Sequence, residues 1–175
     1  MSLTYRTAGL SDVPVLKALI PVSVRGLQSA YYTSGQIESA LGTVFGVDSQ
    51  LIKDGTYFVA EDGDRIVGCG GWSRRKTTYG SDAAKNGEDA LRDPRTEPAM
   101  IRAFFVHPSY ARKGIGRRFI EMCEMAIEAA GFKRTEIIAT LAGEPLYASC
   151  GYCVTERFDI PLISGDTMPV VRMKK

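Results

Sequence analysis

An apolar run from Ala99 to Val106 leads, through the basic segment Arg112-Lys113-Gly114-Ile115-Gly116-Arg117, into a stretch where Ile115, Phe119, Met122, Cys123, Ala126, Ile127 and Ala130 recur at helical spacing. This pattern predicts a strand, a glycine loop and an amphipathic helix over 114–130, closed by Gly131 as a left-handed cap. A helix start leaves backbone N–H groups unpaired and carries partial positive charge, and glycines let anionic oxygens approach those donors. Arg112, Lys113, Arg117 and Arg118 add full charges nearby. The segment reads as an anion site. It is neither a dinucleotide fingerprint nor a phosphate loop of the Gly-Lys-Ser/Thr kind, because Gly114 and Gly116 stand only two apart and neither Ser nor Thr follows a Gly-Lys pair.

The rest of the chain supplies elements of both kinds. Leu3 to Thr7 reads as a strand, and Ser11 or Asp12 caps a helix carrying Val13, Leu16, Leu19 and Ile20 that Pro21 is expected to stop. The capping box Thr33-Ser34-Gly35-Gln36 opens a second helix with Ile37, Ala40, Leu41, Val44 and Phe45 on one side. Strands 56–61 and 66–73 flank the turn pair Asp62-Gly63. Gly68, Gly70 and Gly71 weaken the second of these unless another element approaches its backbone, and a bulge accounts for them equally well. The polar segment 74–98 predicts a long loop, the kind that is either a functional lid or disordered. Beyond the long helix come strand 136–141, a helical turn 144–149 and strands 152–162 and 168–173.

With 175 residues and neither a repeat nor a boundary, the chain is expected to fold as one domain, 1–175. A net charge of +2 is too mild for a nucleic-acid-tracking protein, so no nucleic-acid partner is expected. The absence of a long apolar run and of a signal-peptide layout leads to the expectation of a cytoplasmic protein without a membrane partner. Four cysteines, at 69, 123, 150 and 153, are expected to be reduced. Cys150-Gly151-Tyr152-Cys153 has the spacing of a thiol-disulfide oxidoreductase, but that chemistry wants its first thiol at a helix N-terminus, and here the pair follows a short helix and enters a strand.

Together these features resemble the GNAT superfamily of acyl-CoA-dependent N-acetyltransferases. The family's pyrophosphate loop, Gln/Arg-x-x-Gly-x-Gly/Ala after a central strand, is matched by Ala111-Arg112-Lys113-Gly114-Ile115-Gly116, with Ala111 where the family has Gln or Arg. Its second motif, Tyr-x-x-x-Gly-Phe/Tyr, is matched by Tyr147-Ala148-Ser149-Cys150-Gly151-Tyr152, and Arg6-Thr7-Ala8 followed by Asp12 is similar to its opening. An Asn often found seven residues before the tyrosine is Thr140 here.

The resemblance implies an α+β fold with a central mixed, mostly antiparallel sheet splayed into a V and flanked by about four helices. It implies acetyl-CoA as cosubstrate and no metal, with Arg112, Lys113, Gly114, Ile115, Gly116 and Arg117 on the pyrophosphate and the backbone of Phe104, Phe105 and Val106 along the pantetheine. The implied reaction is direct attack of a primary amine on the thioester. A backbone N–H near Phe104 would steady the oxyanion, and Tyr147 would protonate the leaving thiolate.

The base is open. Where some relatives carry a carboxylate this chain has Met100, which leaves Glu97, His107 or a water relay. Tyr31, Tyr32, Trp72, Tyr79 and Arg102 are candidates for the acceptor wall. The acceptor is expected to be a small-molecule or peptide amine, and a homodimer stays open. The alternative reading keeps the fold and the coenzyme without catalysis, as a CoA-binding module.

Overall fold

The protein is described by a computed structural model covering residues 2–175. Seven strands, β1 (Leu3–Thr7), β2 (Tyr57–Asp62), β3 (Arg65–Ser73), β4 (Ala99–Val106), β5 (Thr135–Thr140), β6 (Cys153–Pro161) and β7 (Thr167–Lys174), form one sheet in the order β1-β2-β3-β4-β5-β7-β6. All neighbours are antiparallel except β4 and β5. Five helices accompany it: α1 (Val13–Leu27), α2 (Ser34–Ala40), α3 (Ser49–Lys53), α4 (Ile115–Ala129) and α5 (Glu144–Ser149). The fold is therefore mixed α+β with a mostly antiparallel sheet, as the resemblance implies.

The period-two alternation of the strands sorts the core into two layers. On β2, Tyr57 and Val59 join Leu16, Ile20, Ile37 and Leu51 beneath α1 to α3, while Phe58 and Ala60 join Ile115, Phe119 and Ile127 beneath α4. No helix among the described residues is long and apolar enough to cross a membrane.

Two helix boundaries differ from the sequence expectation. Pro21 does not stop α1, which continues to Leu27. A proline removes one backbone bond, but burial of Leu19, Ile20, Ser23 and Val24 spans the interruption and holds both halves on the sheet. Conversely, α2 ends at Ala40 although apolar spacing continues to Phe45. Leu41 is extended, with ψ 130°, and Gly42 turns left-handed at φ +91°.

The feature that positions the site is the parallel pair. β4 and β5 are in register only over Ala99–Ile101 and Thr135–Ile137, and beyond that point they separate. The separation coincides with a bulge in β4: Ala103 adopts φ +57° and the pairing to β3 shifts between Cys69 and Gly71. The Tyr57 hydroxyl donates to the Ala103 carbonyl at 2.6 Å and pins the bulge.

The three β3 glycines now have separate reasons. A Cβ on Gly68 would touch Ile115 of α4, one on Gly70 would strike the Phe104 ring, and one on Gly71 would lie 2.2 Å from the Thr56 carbonyl. Close approach, with a bulge beside it, accounts for all three.

Candidate active site

Where β4 and β5 part, a cleft of about 840 Å³ opens through the sheet, lined by Ile101 to Val106 on one side and Ile137 to Thr140 on the other. At one end stands the N-terminus of α4. Its first internal bond runs from Arg118 N–H to the Gly114 carbonyl at 3.0 Å, so the N–H groups of Ile115, Gly116 and Arg117 have no intrahelical acceptor. Arg112 at φ +63° and Gly114 at φ +86° alternate with ordinary conformations, a local twist that turns successive N–H groups into a concave anion nest. A Cβ added at Gly114 would meet nothing within 4 Å, so the space over the cap is free. One added at Gly116 would fall 2.6 Å from Leu146, which is how α4 and α5 come close enough to share the site.

The charges around this nest are unevenly placed. Arg112 and Arg117 line the cleft, and Arg117 donates to Ser149 Oγ at 3.0 Å. Lys113 is turned over the Tyr110 ring at 4.9 Å, outside the lining. These donors and charges, with an empty concavity before them, fit a pyrophosphate.

Along the cleft wall, Phe104 is half-buried, with its ring 5.7 Å from Phe119 and 5.9 Å from Tyr147. Tyr147, on α5, is 4% exposed and faces the cleft. Its hydroxyl makes no hydrogen bond to another described residue, and burial, with smaller contributions from Cys123 and Cys150, pushes it well above the ordinary tyrosine range. It stays a proton donor at any ordinary pH. Phe105 and Val106 complete the strand wall, but the Val106 N–H already donates to Ser23 Oγ of α1 at 3.0 Å.

Other expected residues fall elsewhere. Glu97 lies outside the cleft lining, tied to the Lys76 ammonium and to the Asp93 N–H at 2.7 Å; Lys76, then the Asp93 N–H, hold its carboxyl below the usual range. His107 is also outside the lining, between Arg65 at 3.0 Å and the Ser109 N–H. Met100 is fully buried. Of the suggested acceptor wall, Tyr31, Tyr79 and Arg102 line the cleft. Tyr32 is buried, donating to the Pro169 carbonyl and accepting from Leu141 N–H, and Trp72 packs edge-on against Phe132 under α4. Cys150 caps the C-terminal end of α5 and Cys153 begins β6; both are free thiols.

Segment 74–98 is irregular yet fastened. Arg102 is 2% exposed and donates to the carbonyls of Thr77 (3.1 Å) and Gly80 (2.8 Å) and to Asp48 Oδ2 (3.1 Å). Asp48 also caps α3 and receives Lys85 at 2.6 Å. Thr78, Tyr79 and Gly80 are thereby set into the cleft lining.

Ser23 and Gln28 were not anticipated as site residues. A signal was present: Ser23 sits in the helical stripe of Leu16, Leu19, Ile20, Val24 and Leu27, where a polar side chain is out of place unless a partner waits. Gln28 donates to Thr140 Oγ1 at 3.3 Å, while its own Oε1 is buried without a partner.

A family model described as an acetyltransferase (GNAT) domain matches residues 53–154, more than half of the chain. Among solved structures, a GCN5-related N-acetyltransferase from Rhodopseudomonas palustris superposes with a TM-score of 0.73 at 18% identity, covering 100% of this chain and 96% of its own. PaiA N-acetyltransferase from Thermoplasma acidophilum, in complex with coenzyme A, gives 0.69 at 13%, covering 100% and 99%. YncA from Salmonella typhimurium, with its cofactor acetyl-CoA, gives 0.64 at 15%, covering 100% and 94%. None of the curated proteins is similar enough in sequence to match.

Proposed function

Since the chain belongs to the GNAT acetyltransferase family, we propose that it transfers the acetyl group of acetyl-CoA to a primary amine, the two substrates meeting in the cleft between β4 and β5. The observation that carries this reading is the continuity of one cavity from the open N-terminus of α4 to the Tyr147 hydroxyl, so that an anion-binding end and a proton donor share a single channel.

In this reading the N–H groups of Ile115, Gly116 and Arg117, with Arg112 and Arg117, hold the pyrophosphate. Lys113 adds its charge from the rim. The backbone of Phe104, Phe105 and Val106 runs along the pantetheine, and Ser23 must yield the Val106 N–H if that donor is used. The bulge at Ala103 shifts the pairing to β3, and in this reading a backbone N–H near Phe104 faces the charge building on the thioester oxygen. Tyr147 supplies the proton that the departing thiolate takes. Glu97 would act as base only if its ties to Lys76 and Asp93 were released.

Calorimetry of coenzyme binding tests the anion end. Gly114→Asp places a side chain at φ +86° and a like charge before the nest, and Gly116→Asp presses on Leu146. Both are expected to abolish binding. Folded variants with parental affinity would refute the assignment. The non-catalytic alternative draws on Met100, and release of free thiol from acetyl-CoA with any amine excludes it.

A further inference from the structure

The cleft carries information about the amine as well as the coenzyme. Beyond the thioester region its lining is apolar and aromatic: Val44, Phe45, Ile160, Met168 and Val170 form the wall, and Tyr31 and Tyr79 stand at the mouth with 48% and 38% of their surfaces exposed. The charged groups facing the cavity are Arg102, Arg112 and Arg117, all positive, and the remaining titratable groups are Tyr31, Tyr79, Tyr110 and Tyr147. Among the described residues, no carboxylate and no histidine lines it. Besides the Tyr147 hydroxyl, Gln28 Oε1 is buried there without a partner among the described residues, a neutral acceptor that orients an N–H without taking a proton.

These features act together on an incoming amine. An ammonium entering apolar walls loses hydration and finds no carboxylate in the lining to replace it, since Arg102 is already paired with Asp48 and Arg112 and Arg117 stand at the pyrophosphate end, a cost that rises steeply with burial. The nitrogen must therefore arrive neutral. A lysine-type amine, with a pKa near 10.4, is neutral in about one molecule in 2,500 at pH 7, so its reactive concentration is small before any binding occurs.

We propose that the acceptor is a weakly basic primary amine on an apolar aromatic body, bound as the free amine with its ring between Tyr31 and Tyr79, and not a polyamine or a lysine side chain. This rests on the acetyl-transfer reading above. In the reaction the nitrogen lone pair forms a bond to the thioester carbonyl carbon and the carbon–sulfur bond breaks. One proton leaves nitrogen and one is delivered to sulfur, giving the N-acetyl amine and the coenzyme thiol. An amine that arrives neutral needs no base before attack, and the proton its nitrogen sheds from the adduct passes to water while Tyr147 protonates the sulfur, a scheme consistent with Glu97 and His107 lying outside the cleft.

The test measures thiol release from acetyl-CoA with 4-ethylaniline, 2-phenylethylamine, spermidine and Nα-acetyl-lysine amide. 4-Ethylaniline, the one weak base of the four, is expected to exceed both polar amines in kcat/KM by at least about tenfold, and 2-phenylethylamine, apolar but nearly as basic as lysine, should fall between them and gain about tenfold per pH unit between about pH 6.5 and 8.5 while 4-ethylaniline stays flat. Gln28→Glu, which places a carboxylate in the cleft, should raise kcat/KM for 2-phenylethylamine and flatten its pH dependence. Calorimetric affinity for 4-ethylaniline in the presence of coenzyme A should fall about fivefold in Tyr31→Ala and in Tyr79→Ala, with acetyl-CoA affinity unchanged. Preference for spermidine or the lysine derivative, a flat profile for 2-phenylethylamine in the parent protein, or undiminished 4-ethylaniline binding in both variants overturns the proposal alone. Thiol release with none of the four amines, despite tight coenzyme binding, overturns the acetyl-transfer reading and this proposal with it.

Discussion

The ring of Phe104 lies directly over the backbone of Gly70, so that a Cβ at position 70 would sit 2.5 Å from Phe104 Cδ1 and 2.8 Å from Cε1. Packed against Phe119 and Tyr147, the ring can yield only toward the open cleft. One missing side chain on β3 thus sets the position of the β4 bulge and with it one wall of the cleft.

Gly70→Ala is therefore expected to cost about 1–3 kcal/mol of stability, the usual range for overpacking. Its displacement of Phe104 should weaken coenzyme binding by about tenfold. Thermal unfolding and calorimetry on the same preparation check both. A variant as stable and as tightly binding as the parent would show that the ring can move freely.

Asp48 and Arg102 form a buried pair that fixes segment 74–98 to the cleft, with side-chain exposures of 1% and 2%. Asp48→Asn keeps an α3 cap while leaving the Arg102 guanidinium without its counter-charge, an arrangement that costs about 3 kcal/mol or more. Since Arg102 also holds the Thr77 and Gly80 carbonyls, the variant should expose 74–98 to limited proteolysis and lose turnover before it loses acetyl-CoA affinity. Collapse of coenzyme affinity in a protein that remains folded would mean the segment supports the other end of the cleft.

What could be read in the sequence follows from how local each cause is. The strand 99–106, the cap at Gly114, the left-handed Gly131 and the helix 144–149 depend on neighbours a few residues away, and the chain spells them out. The Tyr147 to Tyr152 motif likewise fixes spacing along one helix and strand. Long-range pairing was not legible. Nothing near Glu97 announces Lys76 as its partner, and nothing near Trp72 says that its face of β3 turns toward Phe132 and away from the cleft. Pro21 misled for a related reason: a proline's local penalty is visible in sequence, while the sheet surface that outweighs it is assembled from β3 and β4, far along the chain.

Asp12 offers a pH test of the first turn. It accepts two bonds from Arg6, at 2.8 and 2.9 Å, and one from Gly9 N–H, and the Arg6 contact, opposed by burial, holds its carboxyl below the usual range. A depressed folded-state value stabilises the protein above the ordinary aspartate pKa near 3.9, and this contribution is lost as pH falls through the lower folded value. Arg6 is partly exposed, so the contribution is about 1 kcal/mol or less. Denaturant unfolding of the parent and Asp12→Asn should differ by a constant amount above about pH 5, begin to approach one another near the ordinary aspartate pKa, and converge only as pH falls through the lower folded value. A difference that persists unchanged into acid would assign the effect to hydrogen bonding alone.

Tyr147 carries the sharpest test, because a single atom separates its two roles. As a packing residue it contributes a ring to the cluster of Phe104 and Tyr152, with centroids 5.9 and 6.1 Å away. As an acid it contributes the hydroxyl, which faces the cleft without a partner among the described residues and whose proton burial retains. Tyr147→Phe removes the second and keeps the first, and since no internal hydrogen bond is lost, stability and coenzyme affinity should stay near parental values. If the hydroxyl protonates the departing thiolate, single-turnover acetyl transfer to 2-phenylethylamine at saturating acetyl-CoA should slow by about a hundredfold to ten-thousandfold. The deficit should shrink when the leaving group is an acidic thiol that departs without help, such as a thiophenyl acetate analogue, because a good leaving group has less need of a proton. A variant within about threefold of the parent with acetyl-CoA, well below the range for general-acid removal, would leave Tyr147 as packing and hand the proton to water.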